Sequence, residues 1–359
     1  MGDLMGTDRF YPLSTQQPYP LRQWWVAGRS AELGQSILVR TLLDTPVAMF
    51  RTSAGEAVAL QGVCPHRLFP FARGRLVGDT LECGYHGMRF DAAGQCVHIP
   101  TQARVEGRLG VRRFPLRERG GLLWIWMADP QLADQADLPD IDSTGTGCPG
   151  WATEYHPLAT ARARYTLLIE NLMDLSHISF IHADTIPAGE AVAGLQFEIS
   201  ESAERLSVQR AARGMPPNPY LRMLFPANNE PVNQSFDAEY LGPGLIRTGG
   251  LIEAAPADGP PRALGITNFV HAVTPQTAHS VHYFVQTTRN FRIDDTALAR
   301  MNEDAGTAIQ PQDIEAIEAI EQYATRFGDT RREISCAADA GALRVRRRLS
   351  QQIAAEQAP

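Results

Sequence analysis

Two short segments, Cys64-Pro65-His66 and Cys83-Gly84-Tyr85-His86, each offer one thiolate and one imidazole, with sixteen residues between them. Ligands divided in this way suit a [2Fe-2S] cluster of the Rieske kind. There the cysteines hold one iron and the histidines the other, and neutral imidazole raises the potential above that of an all-cysteine cluster. The chemistry predicted is one-electron transfer. Gly84 and Gly87 fit it, because glycine lets the backbone approach a cluster and aim N–H groups at its sulfurs. The same four side chains would also satisfy tetrahedral zinc. Zinc sites usually pair like with like, however, as C-x2-C followed by H-x3-H, and both segments here are mixed.

A second constellation runs from Asn171 to His182 and mixes apolar residues at helical spacing with polar groups that a buried helix normally excludes. Asn171, Asp174 and His177 are spaced three apart and would share one stripe of a helix. His182 would lie about 140° around a regular helix from His177 at about 100° per residue, so the helix must end or bulge for both to meet one metal. Two imidazoles with one carboxylate make the facial site of non-haem iron(II); a helix with hydrogen-bonded core histidines is the alternative. The carboxylate must come from elsewhere. Residues 310–321 read as an amphipathic helix beginning after Pro311, with Asp313 in its first turn. A negative charge there is favoured by the helix dipole, with or without a metal.

The run VCPHRLFPFARGRLVGDTLECGYHGMRFDAAGQCVHIP, residues 63–100, resembles the Rieske segment of the Rieske non-haem iron oxygenases, in particular their aromatic O-demethylases. Gly84 stands where that family usually has proline and Met88 where it usually has tryptophan. Neither is a ligand, so these departures bear on packing beside the cluster and on its potential. Asp174 to His182 resembles the family's D-x-x-H-x4-H iron motif, which makes His177 and His182 iron ligands. The third ligand in the family is an aspartate starting a helix and followed five residues later by Glu-Ala, matched by Asp313 and Glu318-Ala319. Asp304 is the alternative, and Glu315, Glu318 and Glu321 read as solvated acids.

The resemblance also implies a role for Asp174, one turn before His177, where a carboxylate can accept the ring's free N–H and fix its orientation. In the family this aspartate contacts a cluster histidine of the neighbouring subunit. That implies a ring-shaped homotrimer in which His86 or His66 of one copy faces Asp174 of the next. Residues 268–295 resemble the same demethylases, which places His271 on a substrate carboxylate; a half-buried strand histidine is the plain alternative. Gly250 and Asp304 stand where the family uses an asparagine and a tryptophan on substrate, implying a wider pocket near Gly250.

The elements that must position these groups divide the chain in two. Segments 36–43, 46–51 and 121–127 are β-branched or aromatic and separated by turn residues, so residues 1–140 read as an all-β Rieske domain, a small antiparallel barrel with Trp24, Trp25, Trp124 and Trp126 in its core. Asp129 to Gly150 is acidic and rich in Pro and Gly, as suits a linker. Its G-x-G-x-x-G at Gly145, Gly147 and Gly150 follows no strand and contains Pro149, so it is rejected as a dinucleotide site. Strand-like runs at 204–211, 245–254, 264–273 and 280–286 fit the helix-grip (START-like) catalytic domain that the resemblance implies for residues 141–359, a curved antiparallel sheet around the iron. The fold class expected is α+β.

Composition excludes other classes. The net charge of -7 argues against a nucleic-acid binder, and no apolar run approaches the ~20 residues of a membrane span. The opening MGDLMGTDRFYPL lacks the regions of a signal peptide, and Cys96, Cys148 and Cys336 are scattered as free thiols are in a reducing compartment. A cytoplasmic protein is expected. The basic residues between Arg344 and Arg348 read as a solvated or interface face.

Together the resemblance implies the terminal oxygenase of a multicomponent monooxygenase, with a [2Fe-2S] cluster, Fe(II), O2 and an aromatic substrate. The reaction expected is O-demethylation of a methoxylated aromatic acid. No C-x4-C-x2-C cluster motif or nucleotide site is present in the sequence, so electrons from NAD(P)H require a separate reductase or ferredoxin. Hydroxylation or N-demethylation of another aromatic, heterocyclic or terpenoid compound is the alternative within the class. A pure Rieske electron-transfer protein is the alternative outside it.

Overall fold

The structure, a computed structural model, describes residues 19–105, 109–186, 189–327 and 333–357. The opening segment read above for a signal peptide lies outside the described residues. Contacts divide the chain into two units. A single cut at residue 140 does not reproduce them, because Thr274–Ala278 belongs with Leu21–Leu138, while Tyr19 and Pro20 belong with Pro139–Val273 and the residues from His279 onward.

The first unit is built of three antiparallel sheets rather than one barrel. Trp24–Arg29, Leu122–Trp126 and Leu116–Arg119 form one, and Leu38–Leu42, Thr45–Arg51, Ala57–Gln61 and Arg113–Phe114 another. The third consists of Arg75–Val77, Thr80–Glu82, Arg89–Phe90 and Cys96–His98. All four expected tryptophans are buried. The segment carrying Cys64 and His66 leaves Ala57–Gln61, and the one carrying Cys83 and His86 joins Thr80–Glu82 to Arg89–Phe90. Each is therefore a loop anchored at both ends by paired strands.

The second unit is a nine-stranded antiparallel sheet with helices. Its order runs from Ala152–Tyr155 through Ser280–Arg289, Arg262–Thr277, Leu245–Ala254, Val232–Ser235 and Leu206–Met215 to Phe197–Glu201, with Ala159–Ala161 and Asp237–Gly242 paired alongside. The stretch 129–150 is not a loose linker. It folds into the 3-10 turns Pro130–Gln135 and Asp142–Thr144, and the Thr144 carbonyl accepts hydrogen bonds from Asn268 Nδ2 at 3.0 Å and Thr288 Oγ1 at 2.6 Å. Residues rich in Pro and Gly look solvated in sequence, but these carbonyls are satisfied by partners more than a hundred residues away, which local composition does not report.

Two helical expectations need correction. Asn171, Asp174 and His177 do not share one helix: Tyr165–Met173 ends at Asp174, whose φ of -117° and ψ of 94° are extended. A 3-10 turn Leu175–His177 and a short helix Ile178–Ile181 follow, with His182 at its C-terminal cap. Nor does a helix begin after Pro311. One 32-residue helix, Thr296–Phe327, runs through it, although proline gives up its N–H bond and its ring crowds the carbonyl four residues earlier. Asp313 thus lies mid-helix, and the dipole argument for a charge in the first turn no longer applies. The buried residues of this helix are Leu298, Asn302, Gly306, Gln310, Asp313, Ile317 and Glu321, a stripe at intervals of three and four that faces the sheet.

Glu321 is not a solvated acid. Arg164, which caps the start of Tyr165–Met173, donates from Nε to Glu321 Oε2 at 2.6 Å and from Nη2 to Oε1 at 2.9 Å, and both side chains are buried. The bidentate pair ties the segment leading to His177 to the helix that carries Asp313. The basic terminal helix Ala340–Gln357 is likewise paired, Arg344 and Arg348 with Glu201, and Arg346 with Glu170 and Glu333.

Burial opposes the charge on Glu321, but its bonds to Arg164 and His279 prevail and lower its pKa to about 2. A depressed carboxylate stabilises the fold above its unfolded value, 4.5, and the contribution fades as pH falls toward the folded one. We expect Glu321→Gln to cost about 3 kcal/mol at pH 7, as removal of one partner of a buried pair does. In urea titrations followed by circular dichroism, its deficit relative to wild type should shrink steadily below pH 4.5. A deficit independent of pH would remove the ion pair as its cause.

Candidate active site

In the first unit the two mixed segments separate their ligand types. Cys64 and Cys83 are each 1% exposed and pack with Phe71, Leu81, Met88 and Phe90, whereas His66 and His86 are exposed. Backbone hydrogen bonds hold both loops: Cys64 N–H donates to Phe69 O at 2.9 Å and Cys83 N–H to Met88 O at 2.8 Å. The imidazole rings lie 4.7 Å apart between centroids. Burial pushes the Cys64 thiol up to about 11, so this site favours thiolate only with a cation beside it. Gly84 admits no side chain, since a Cβ there would lie 2.0 Å from the Arg73 carbonyl oxygen. Gly87 N–H donates to Cys83 O at 3.0 Å, closing that loop on itself.

In the second unit, His177, His182 and Asp313 bring their ligand atoms within 4.8 Å of one another. Asp313 Oδ1 lies 3.1 Å from His182 Nε2 and 3.6 Å from His177 Nε2. The other ring nitrogens are engaged. His177 Nδ1 donates to the Asp174 carbonyl at 2.6 Å and His182 Nδ1 to Gln312 Oε1 at 2.7 Å, and Gln312 Oε1 also accepts from Thr185 Oγ1 at 2.8 Å. Each ring therefore presents Nε2 to the Asp313 carboxylate, the side from which a metal ion or a shared proton would be held. Burial lowers the pKa of His177. It also opposes charge on His182, but the bonds from Asp313 and Gln312 prevail and raise it.

Asp174 acts differently from the expectation. Its backbone carbonyl orients His177, while its carboxylate accepts from Ser176 N at 3.0 Å, Ser176 Oγ at 2.8 Å and Arg210 Nη2 at 3.1 Å. Arg210 is buried, with its guanidinium 4.9 Å above the Phe197 ring. Asn171 remains on the preceding helix with a buried Oδ1 that has no hydrogen-bond partner in the protein, and it is absent from the pocket wall. Sequence reasoning missed Gln312, Thr185 and Arg210. Gln312 adjoins Asp313, but nothing in a local pattern shows an arginine 36 residues from Asp174 reaching it.

A largely apolar pocket opens onto the three converging groups, walled by Leu172, Leu175, Ile252, Phe269, Val285 and Ile309 among others. His271 lines it, with Nε2 3.0 Å from Thr248 Oγ1 and Nδ1 2.8 Å from the Tyr283 hydroxyl. Burial lowers its pKa to about 3, which leaves the ring neutral. Gly250 lines the pocket too, at φ 143°, where a Cβ would meet Ser235 Cβ at 2.9 Å. The backbone there excludes a side chain. Asp304 is exposed and is not part of the wall; Asn302, two residues earlier on the same helix, is.

Residues 23–115 match the Rieske [2Fe-2S] domain and residues 161–355 the vanillate O-demethylase oxygenase C-terminal domain. The chain is 34% identical to the oxygenase component of dicamba O-demethylase from Stenotrophomonas maltophilia, over 91% of this chain and 95% of that one. It is 30% identical to the vanillate O-demethylase oxygenase subunit of a Pseudomonas species, over 87% and 95%. The crystal structure of dicamba monooxygenase with non-haem iron and dicamba superimposes with a TM-score of 0.80 at 31% identity, covering 94% of this chain and 98% of that one.

The bonds around Asp174 make a stability test. Asp174→Ala leaves the Arg210 guanidinium buried without its carboxylate, which should cost 3 to 5 kcal/mol, by the general cost of such losses. Adding Arg210→Met should recover part of that loss, so that a double-mutant cycle by urea denaturation gives a coupling of at least ~1 kcal/mol. Additive losses would mean that the two groups do not depend on each other.

Proposed function

The chain belongs to the Rieske non-haem iron oxygenases, as the oxygenase component of a multicomponent monooxygenase, and we propose that its reaction is the O-demethylation of a methoxylated aromatic acid. The family works with a [2Fe-2S] cluster and non-haem iron and draws electrons from a separate reductase or ferredoxin. In this reading Cys64, Cys83, His66 and His86 hold the cluster and His177, His182 and Asp313 hold the iron. The donor sets fit: two thiols and two imidazoles in mixed loops, and two Nε2 lone pairs with one buried carboxylate. When bound, the cluster passes single electrons and the iron activates O2.

The chain's own residues supply position and exclusion of water. Leu172, Phe269 and Val285 offer an apolar wall for an aromatic ring. His271, held neutral between Thr248 and Tyr283, contacts the polar end of the substrate. Gly250 leaves the neighbouring wall without a side chain, and so wider. A methoxy carbon placed beside Asp313 takes up one oxygen atom of O2, the other leaving as water with two electrons and two protons. The resulting hemiacetal collapses to formaldehyde and a phenol. Asp174 holds His177 through its carbonyl, and its carboxylate, 18% exposed, meets His66 or His86 of the next copy in a homotrimer. Among the described residues no helix is long and apolar enough to cross a membrane, in keeping with a cytoplasmic enzyme.

The observation that carries the catalytic reading is the convergence of His177, His182 and Asp313 on the wall of an apolar pocket. A protein that only transferred electrons would have no use for either. The isolated protein should contain three irons per chain. His86→Ala should lose two of them and His177→Ala one, because each change removes an imidazole that no neighbour replaces; stoichiometric zinc in the native protein would exclude the assignment. With a surrogate reductase, O2 uptake should be coupled to formaldehyde release from at least one methoxylated aromatic acid. Uptake coupled to hydroxylated or N-demethylated products alone would move the enzyme to the alternative reaction.

A further inference from the structure

The strand Arg262–Thr277 turns Thr267, Phe269 and His271 to the pocket at the two-residue period of a strand, and the long helix turns Asn302, Gly306, Gln310 and Asp313 to it. Most polar groups on these two surfaces already have partners in the protein: His271 bonds Thr248 and Tyr283, Asn302 bonds Glu154, and Asp313 faces the histidines. Thr267 Oγ1 and Gln310 Nε2 do not. Both atoms are buried and without a hydrogen-bond partner in the protein, and each residue is only 6% exposed. A buried polar group left unsatisfied is costly, so two among the residues that line one apolar pocket require an explanation.

We propose that Gln310 and Thr267 are specificity-determining residues that hydrogen-bond oxygen substituents of the substrate, so that the enzyme takes an oxygen-rich aromatic compound. The inference rests on the demethylase reading above and adds to it what the substrate carries besides its reacting methoxy group. Gln310 Nε2 is a donor only and needs an acceptor: a carbonyl, ether, hydroxyl or carboxylate oxygen. Gln310 is one helical turn from Asp313 on the same face, so that oxygen lies on the half of the substrate nearest the reacting carbon. Thr267 can donate or accept. Four residues along the strand from His271, it is about 13 Å from it and reads a different part of the molecule.

The test is equilibrium binding to the iron-loaded protein, measured calorimetrically with anisole, guaiacol and syringol, uncharged methoxyarenes carrying one, two and three oxygens. Wild type should bind more tightly with each added oxygen. Gln310→Leu should weaken syringol about tenfold, the loss of one hydrogen bond, and at the same time tighten anisole, because an unsatisfied amide has left the wall. Thr267→Val should act in the same sense. Opposite shifts cannot come from a damaged fold, which would weaken all three probes together. Parallel losses, unchanged affinities, or a wild type that binds none of the probes or does not rank them by oxygen count would overturn the proposal. Formaldehyde release is read separately. A protein that shows the binding pattern but demethylates nothing keeps these contacts and loses the demethylase reading, and demethylation without the pattern does the reverse.

Discussion

A single buried carboxylate facing two imidazoles is the constraint around which the catalytic unit is arranged. Asp313 comes from the middle of a long helix and the histidines from a broken one, so the geometry depends on how those elements are joined. Three kinds of bond join them. Backbone and amide oxygens fix which nitrogen of each ring is free. The Asp174–Arg210 pair holds the break in the chain just before His177. Farther out, Arg164 and Glu321 lock the two helices together. Each contact is polar and poorly exposed, where a hydrogen bond is strong and its loss costly.

Much of this was legible in the sequence wherever the signal is local. The mixed Cys and His loops, and the spacing of His177 and His182, are short patterns with few competing readings. Leu245–Ala254 emerges as a strand with the bounds expected from its composition. Asp313 could be picked out only through family resemblance, because its own neighbourhood suggested a helix start that does not exist.

What could not be read is tertiary in origin. Apolar spacing through residues 171–182 suggests one helix, but Ser176 and Arg210 draw the Asp174 carboxylate into an extended turn that breaks it. Pro311 suggests a boundary, yet the helix runs through it, held by a buried stripe on either side that outweighs the lost bond and the crowding of the ring. The acids of that helix look equivalent along the chain. Glu321 proves buried and paired, Glu318 accepts from the Arg162 backbone at 2.7 Å, and Asp304 is exposed. The difference lies in which one meets an arginine on another element.

The pocket draws its walls from an antiparallel strand and a helix, while the histidines sit on a third segment. In a strand, alternate side chains can be exchanged without altering the hydrogen-bond ladder that holds it. Thr267, Phe269 and His271 are therefore open to mutational drift that leaves the metal-binding groups intact. Gln310 is more constrained, because it stands one turn from Asp313 and any replacement must pack beside that carboxylate. A lineage built on this scaffold can diversify cheaply along the strand and only under constraint along the helix, which makes the sheet the evolvable side of the enzyme.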